Sequence, residues 1–204
     1  MMNGIYFVTD ADATEPVHAQ ALAAARAGVR WIQLRDKTAD NAAMIALARD
    51  LRRVLRPLGT RLIVNDRIEV AVAARADGLH IGQSDGDPQA ARAQIGPDMI
   101  LGLSVEDASQ LDSIPAGCVD YLGVGPIRAS ASKADHAAPI GFEGLRAAVA
   151  QTDLPVVAIG GLVADDAAVV RGAGACGMAV VSAISRAPSM ADAAGSLVAA
   201  WRQV

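Results

Sequence analysis

Short apolar runs, most without polar alternation, recur along the chain between longer alanine-rich stretches with helical spacing. Runs of this kind are what a parallel strand buried on both faces requires. Strands are predicted at Ile5–Thr9, Arg30–Leu34, Arg61–Val64, Gly78–Ile81, Met99–Leu103, Val119–Val124, Pro155–Ile159 and Gly177–Val181. Helices are predicted over Glu15–Ala27, Asp40–Arg56, Ile68–Arg75, from Pro88, over Glu106–Ser113, over Phe142–Ala150, from Asp165-Asp166, and over Met190–Arg202. Gly28 stops the first helix, Pro57 and Gly59 close the second, and Pro88 takes the first-turn position that proline favours. Regular alternation argues a parallel sheet, and eight units argue closure into an α/β (β/α)8 TIM barrel, a single domain over residues 1–204. An open doubly wound sheet is the lesser alternative, since the turn Thr9-Asp10-Ala11 after the first strand carries no GxGxxG.

Composition narrows the function classes. At 204 residues the chain is near the lower limit for such a barrel, and 52% hydrophobic content excludes disorder. No run approaches the roughly 18–20 apolar residues of a membrane span. Met1-Met2-Asn3-Gly4 lacks a basic region and leads straight into strand-like sequence, so no signal peptide is expected. Cys118 and Cys176 lie in apolar surroundings without CxxC spacing, as in a reduced cytoplasmic protein. A net charge of −4 with no basic run argues against nucleic acid as a partner. Composition leaves a homo-oligomer open. Among 18 basic residues only Lys37 and Lys133 are lysines, which draws attention to what they bind.

Catalytic groups in a barrel gather where strands end at the C-terminal face. The second strand ends in Gln33-Leu34-Arg35-Asp36-Lys37, where alternation puts Gln33, Arg35 and Lys37 on one face. The third ends in Asn65-Asp66, the fourth in Gly82-Gln83-Ser84-Asp85, and the fifth at Ser104. Ser130, Ser132 and Lys133 lie in the loop after the sixth. Gly160-Gly161 after the seventh, with Val181-Ser182 after the eighth, offers backbone N–H groups able to grip a phosphate. Two carboxylates beside several cations make sense if Mg2+ sits between Asp66 and Asp85 and binds a polyphosphate through its remaining positions. Arg35, Lys37 and Lys133 would then neutralise the outer oxygens. Blander readings stay open. Asp85 and Asp66 can each cap the helix that follows. Arg35, Asp36 and Lys37 can form a solvated salt-bridge network, and Gly160-Gly161 can be a plain turn. His80 inside a strand reads as structural, His18 as helix surface, and His136 as a minor contact.

The segments YFVTD (Tyr6–Asp10), WIQLRDK (Trp31–Lys37), LIVNDR (Leu62–Arg67), ADGLHIGQSD (Ala76–Asp85), GLS (Gly102–Ser104) and DYLGVGP (Asp120–Pro126) are joined by the Ser130-Ala131-Ser132-Lys133 loop and the Gly160-Gly161 stretch. Together, in this order and spacing, they resemble the thiamine-phosphate synthase family over essentially the whole chain. The resemblance implies a transferase of thiamine biosynthesis that joins a hydroxymethylpyrimidine diphosphate to a thiazole phosphate. Diphosphate departs first and leaves a pyrimidine-stabilised cation. By the same resemblance Asp66 and Asp85 hold Mg2+, while Arg35, Lys37, Asn65 and Lys133 contact diphosphate. Gln33 and Ser104 orient the pyrimidine, and Ser130, Ser132, Gly161, Val181 and Ser182 hold the thiazole phosphate. Leu34, Asp36 and Ala131 complete the implied substrate-binding runs, and Arg35, Lys37, Ser104 and Lys133 the implied catalytic set.

The chain departs from the family's Pro-Thr-x-Thr-Lys loop, reading Ala129-Ser130-Ala131-Ser132-Lys133, with Arg128 adjacent as an expected further cation. The serines keep the hydroxyl donors without the methyls. The related thiazole tautomerases usually carry a histidine where this chain has Pro126. A noncatalytic phosphate-binding barrel is the remaining rival.

Overall fold

The computed structural model describes residues 2–129 and 138–204. Among these, eight parallel strands close into a barrel in chain order: β1 (Gly4–Val8), β2 (Trp31–Leu34), β3 (Arg61–Asn65), β4 (Gly78–Ile81), β5 (Ile100–Val105), β6 (Tyr121–Val124), β7 (Val156–Ile159) and β8 (Gly177–Val180). Pairing of β1 with β8, Tyr6 opposite Ala179, closes the ring. Outside it lie α1 (Val17–Arg26), α2 (Asn41–Leu55), α3 (Ile68–Ala74), α4 (Pro88–Ile95), α5 (Gly141–Ala150), α6 (Ala167–Gly172), α7 (Ser182–Ser185) and α8 (Met190–Arg202).

Two crossovers differ from expectation. Between β5 and β6 the predicted helix is a 3-10 segment, Ala108–Ser113, opened by a reciprocal capping pair of Asp107 and Gln110 and stopped before Pro115. With so few residues between cap and proline, the tighter turn is the form that fits. After β8 the short α7 is an addition that the pattern did not reveal, because its few residues carry no helical period.

Strand alternation divides the apolar residues between two cores. Phe7, Ile32, Leu34, Leu62, Val64, Leu79, Leu101, Leu103 and Leu122 face outward into the helix layer. Tyr6, Trp31, Ile63, Tyr121, Val157 and Ala179 fill the barrel axis. Glycine occupies axial positions where a neighbour's ring lies. A Cβ on Gly102 would fall 2.1 Å from Tyr121 Cζ, and one on Gly123 would fall 3.1 Å from His80 Cε1.

At the other end of the strands, the Asp77 carboxylate accepts from Leu62 N at 2.8 Å and the Asp120 carboxylate from Leu101 N at 2.7 Å. Both satisfy strand-opening amides that would otherwise lack partners. On the C-terminal face, Ile127 N donates to Ile159 O and Arg128 N to Gly160 O, so the chain leaving β6 runs alongside the turn after β7. Arg128 ties them again through a two-pronged pair with Asp166, both contacts 2.6 Å, and stacks over Phe142.

Gly102→Ala should destabilise the fold by on the order of 3 kcal/mol, through forced displacement of a packed ring, read as a lower urea midpoint. The Arg128 hydrogen bonds, aided by Val163 N–H, hold the Asp166 carboxyl below its ordinary range against the opposing effect of burial. Its contribution is therefore full above about pH 4 and fades as pH falls through the lowered folded value. Asp166→Asn should cost about 1–2 kcal/mol at pH 7, allowing for the half-exposed arginine. The difference from wild type should narrow in urea unfolding at about pH 3.

Candidate active site

Inward positions at the strand C-termini surround a cavity of about 600 Å³. Gln33, Arg35, Lys37, Asn65, Asp85, Ser104, Gly161, Val181 and Ser182 all line it, so residues from the ends of six strands meet around one cavity. Leu34 is fully buried in the outward core, which leaves only its backbone near the site. Asp36 also turns away: its Oδ1 accepts from Thr38 N, Thr38 Oγ1 and Ala39 N and pins the loop that carries Lys37. Burial opposes ionisation of this carboxyl, yet these bonds and Arg67 hold it below its ordinary range. Ser130, Ala131, Ser132, Lys133 and His136 lie outside the described residues.

Neither acidic candidate serves as a helix cap. Asp87 caps α4, accepting from Gln89 N and Ala90 N, and the residue at the head of α3 is Arg67, with no side-chain cap bond. Asp85 instead accepts from Gly82 N at 2.7 Å on the exposed rim. Asp66 sits in left-handed backbone, φ 53°, a conformation a non-glycine residue adopts at some cost. Its amide donates to His80 O, its Oδ2 accepts from Asn65 Nδ2 at 2.7 Å, and Lys37 Nζ stands 3.5 Å away. Burial pushes its carboxyl above the usual range and the charge of Asp85 adds to this, against Lys37 and Arg67. The Asp66 carboxyl thus feels the charge of Asp85, which lines the cavity, whereas Asp66 itself does not. Among the described residues no group of three or more His, Cys, Asp or Glu gathers in metal-binding range.

Opposite this rim, Gly160 (φ 106°) and Gly161 (φ 64°) take conformations open to glycine. A Cβ on Gly160 would lie 2.6 Å from Pro126 Cα, and one on Gly161 2.9 Å from Arg128 Cβ. The glycine pair therefore does more than make a tight turn: it lets the chain leaving β6 pass against the cavity wall. Ser182 opens α7 directly beside it. Arg128, expected as a further cation, is neutralised by Asp166 and also donates to Gly161 O, so it braces the turn.

Below the rim runs a chain of hydrogen bonds that sequence reading missed. Gln33 Nε2 donates to Tyr6 OH at 2.9 Å, and Tyr6 OH meets Tyr121 OH at 2.9 Å. Tyr121 OH meets His80 Nδ1 at 2.8 Å, and His80 Nε2 meets Ser104 Oγ at 3.0 Å. His80, expected to be structural, is buried, yet it joins two walls of the cavity. Burial lowers its pKa to about 4, so the ring is neutral at pH 7. Burial likewise pushes the Tyr6 and Tyr121 phenols well up, so both keep their protons. The available signal was the pair of glycines, Gly102 and Gly123, interrupting strands, which marks close approach by another group. Among the described residues no helix is long and apolar enough to cross a membrane.

Comparison with known proteins agrees with this geometry. The family model described as thiamine monophosphate synthase matches residues 5–184. A thiamine-phosphate synthase of Azorhizobium caulinodans is 49% identical over 170 residues, covering 83% of this chain and 80% of that protein. Another from Chloroflexus aurantiacus is 44% identical over 195 residues, covering 95% and 90%. The solved thiamine phosphate pyrophosphorylase of Pyrococcus furiosus superposes with a TM-score of 0.89 at 32% identity, covering 98% of this chain and 96% of that one. With eight strands, cavity and sequence in agreement, the chain belongs to the thiamine monophosphate synthase family, enzymes of thiamine biosynthesis.

Proposed function

We propose that the cavity joins 4-amino-2-methyl-5-(diphosphooxymethyl)pyrimidine to a thiazole phosphate, giving thiamine phosphate and diphosphate. The observation that carries this reading is the meeting of Arg35, Lys37, Asn65 and Asp85 on one rim, across the cavity from Gly161 and Ser182, with Asp66 3.5 Å from Lys37 although it does not itself line the cavity. One side suits a diphosphate and the other a phosphate monoester.

The bond between the pyrimidine methylene carbon and the diphosphate oxygen breaks, and its electron pair leaves with diphosphate. The electron-rich aminopyrimidine stabilises the resulting cation. The thiazole nitrogen lone pair then forms the new C–N bond. Arg35 as a fork and Lys37 as a point charge face the oxygens on which charge grows, so they stabilise the transition state more than the ground state. Gln33 and Ser104 orient the pyrimidine, and the axial residues beneath exclude water that would otherwise trap the cation. No side-chain nucleophile is required. Lys133, Ser130 and Ser132 keep the roles that the resemblance implies.

The donor set fits Mg2+. Two carboxylates, one of them made harder to ionise by the charge of the other, near an open cavity suit a hard cation that keeps several water or phosphate oxygens for itself. Asp66 and Asp85 would hold it, and when bound it would neutralise charge on the leaving diphosphate. The protein is proposed to work in the cytoplasm.

Thiamine phosphate formation from both substrates with Mg2+ tests the reading. Lys37→Ala and Asp85→Ala should each lower kcat by on the order of 100-fold, the size of losing one preorganised charge, while far-UV circular dichroism stays unchanged. Near-normal rates in either variant would remove that residue from the mechanism. In a thermal melt, Mg2+ together with inorganic diphosphate should raise the midpoint of the wild type. That rise should be largely lost in Asp66→Asn; an equal rise would exclude Asp66 as a metal ligand.

A further inference from the structure

The buried hydrogen-bond chain has a direction. Each tyrosine carries one hydroxyl proton and can give it to one neighbour only. Gln33 Nε2 donates to Tyr6, so the Tyr6 proton goes to Tyr121. The Tyr121 proton then goes to His80 Nδ1, and the ring's single proton on Nε2 goes to Ser104 Oγ. Every donor points from β2 towards β5, by way of β1, β6 and β4. At the two ends, the Gln33 side-chain oxygen Oε1, together with the second amide hydrogen, and the Ser104 hydroxyl proton are left over. Both residues line the cavity. The reverse arrangement requires the Gln33 amide to turn over and the Ser104 proton to fall back on His80, so the two ends cannot change independently.

We propose that Tyr6, Tyr121 and His80 are positioning residues that form a directional relay, presenting Gln33 to the ligand as an acceptor and Ser104 as a proton donor. The relay thereby sets the ligand's own pattern: an amino group on a heteroaromatic ring facing Gln33, and an anionic oxygen facing Ser104. This ligand identity rests on the proposed reading of the cavity, whereas the direction of the relay does not. The axis is shaped to hold the relay. Gly102 leaves space for the Tyr121 ring and Gly123 for the His80 ring, and the two rings lie 5.4 Å apart, tilted by 34°. Gln83 Nε2 also donates to Ser104 O at 2.6 Å, which steadies the strand end that carries the hydroxyl.

The test is imidazole 15N NMR on the full chain labelled at histidine. The protein has three histidines, so His80 is assigned by the signal lost in His80→Asn. In the wild type, His80 should show an unprotonated Nδ1 and a protonated Nε2; a protonated Nδ1 would overturn the proposal outright. Tyr121→Phe removes one link without changing ring shape. It should release the His80 tautomer into a mixture and lower kcat about tenfold, the effect of losing one well-placed hydrogen bond, with KM for the pyrimidine within about twofold. Tyr6→Phe leaves Tyr121 within reach of His80 but removes the hydroxyl that fixed its direction, so the His80 tautomer should become mixed there too. The freed Gln33 should in addition raise KM for the pyrimidine, an effect not expected of Tyr121→Phe. A Tyr121→Phe protein with wild-type tautomer and kcat would refute the relay, as would identical kinetic effects from the two tyrosine variants. Absence of thiamine phosphate formation by the wild type would sink the functional reading, while the tautomer would still decide the relay's direction.

Discussion

Closure of a short-stranded parallel barrel is the constraint from which the site follows. Each strand is only four to six residues long, and alternate residues must face either the axis or the helices. The outward set has to be apolar to bury the helix layer, which leaves the inward set near the C-terminal rim as the place for polar chemistry. A one-residue slip of β2 would exchange Gln33 and Arg35 for Leu34 and Asp36. Burial of Leu34 against the helices resists that slip, so a residue with no ligand-facing side chain still governs which side chains face the ligand.

Electrostatically, the rim and the axis behave differently. The rim mixes carboxylates and cations in partly exposed space, where Asp66 is offset by Lys37 and opposed by Asp85. Such an arrangement leaves charges of both signs facing open space and suits a charged, oxygen-rich guest. The axis is buried and uncharged, and its polar groups are joined end to end. Burial keeps the phenols protonated and the imidazole neutral, so the hydrogen-bond pattern is stable across the physiological range. The cavity thus pairs charged side chains at its mouth with neutral, mutually bonded dipoles at its floor.

Much of this was legible in the chain. The alternation of buried runs with helical stretches identified eight units, and strand parity grouped Gln33, Arg35 and Lys37. Motif likeness treated whole runs alike, so it could not separate Lys37, which lines the cavity, from Asp36, which folds its own loop. It likewise ran Asp77 and Asp85 together within one segment, although the first serves the opposite end of the barrel. The tyrosine–histidine chain escaped notice because its members are far apart in sequence, 115 residues between Tyr6 and Tyr121, and each tyrosine sits within an apolar run. Arg128 looked like a free charge because its partner, Asp166, lies on a different βα unit.

The space at Gly102 and the ring of Tyr121 form a lock in which only one of the two positions can be large. Any line of descent that enlarges the first must shrink the second in the same step or pass through a poorly folded intermediate. Shrinking the second severs the route between opposite walls of the barrel, so a change of core volume at the axis is also a change in how the walls communicate.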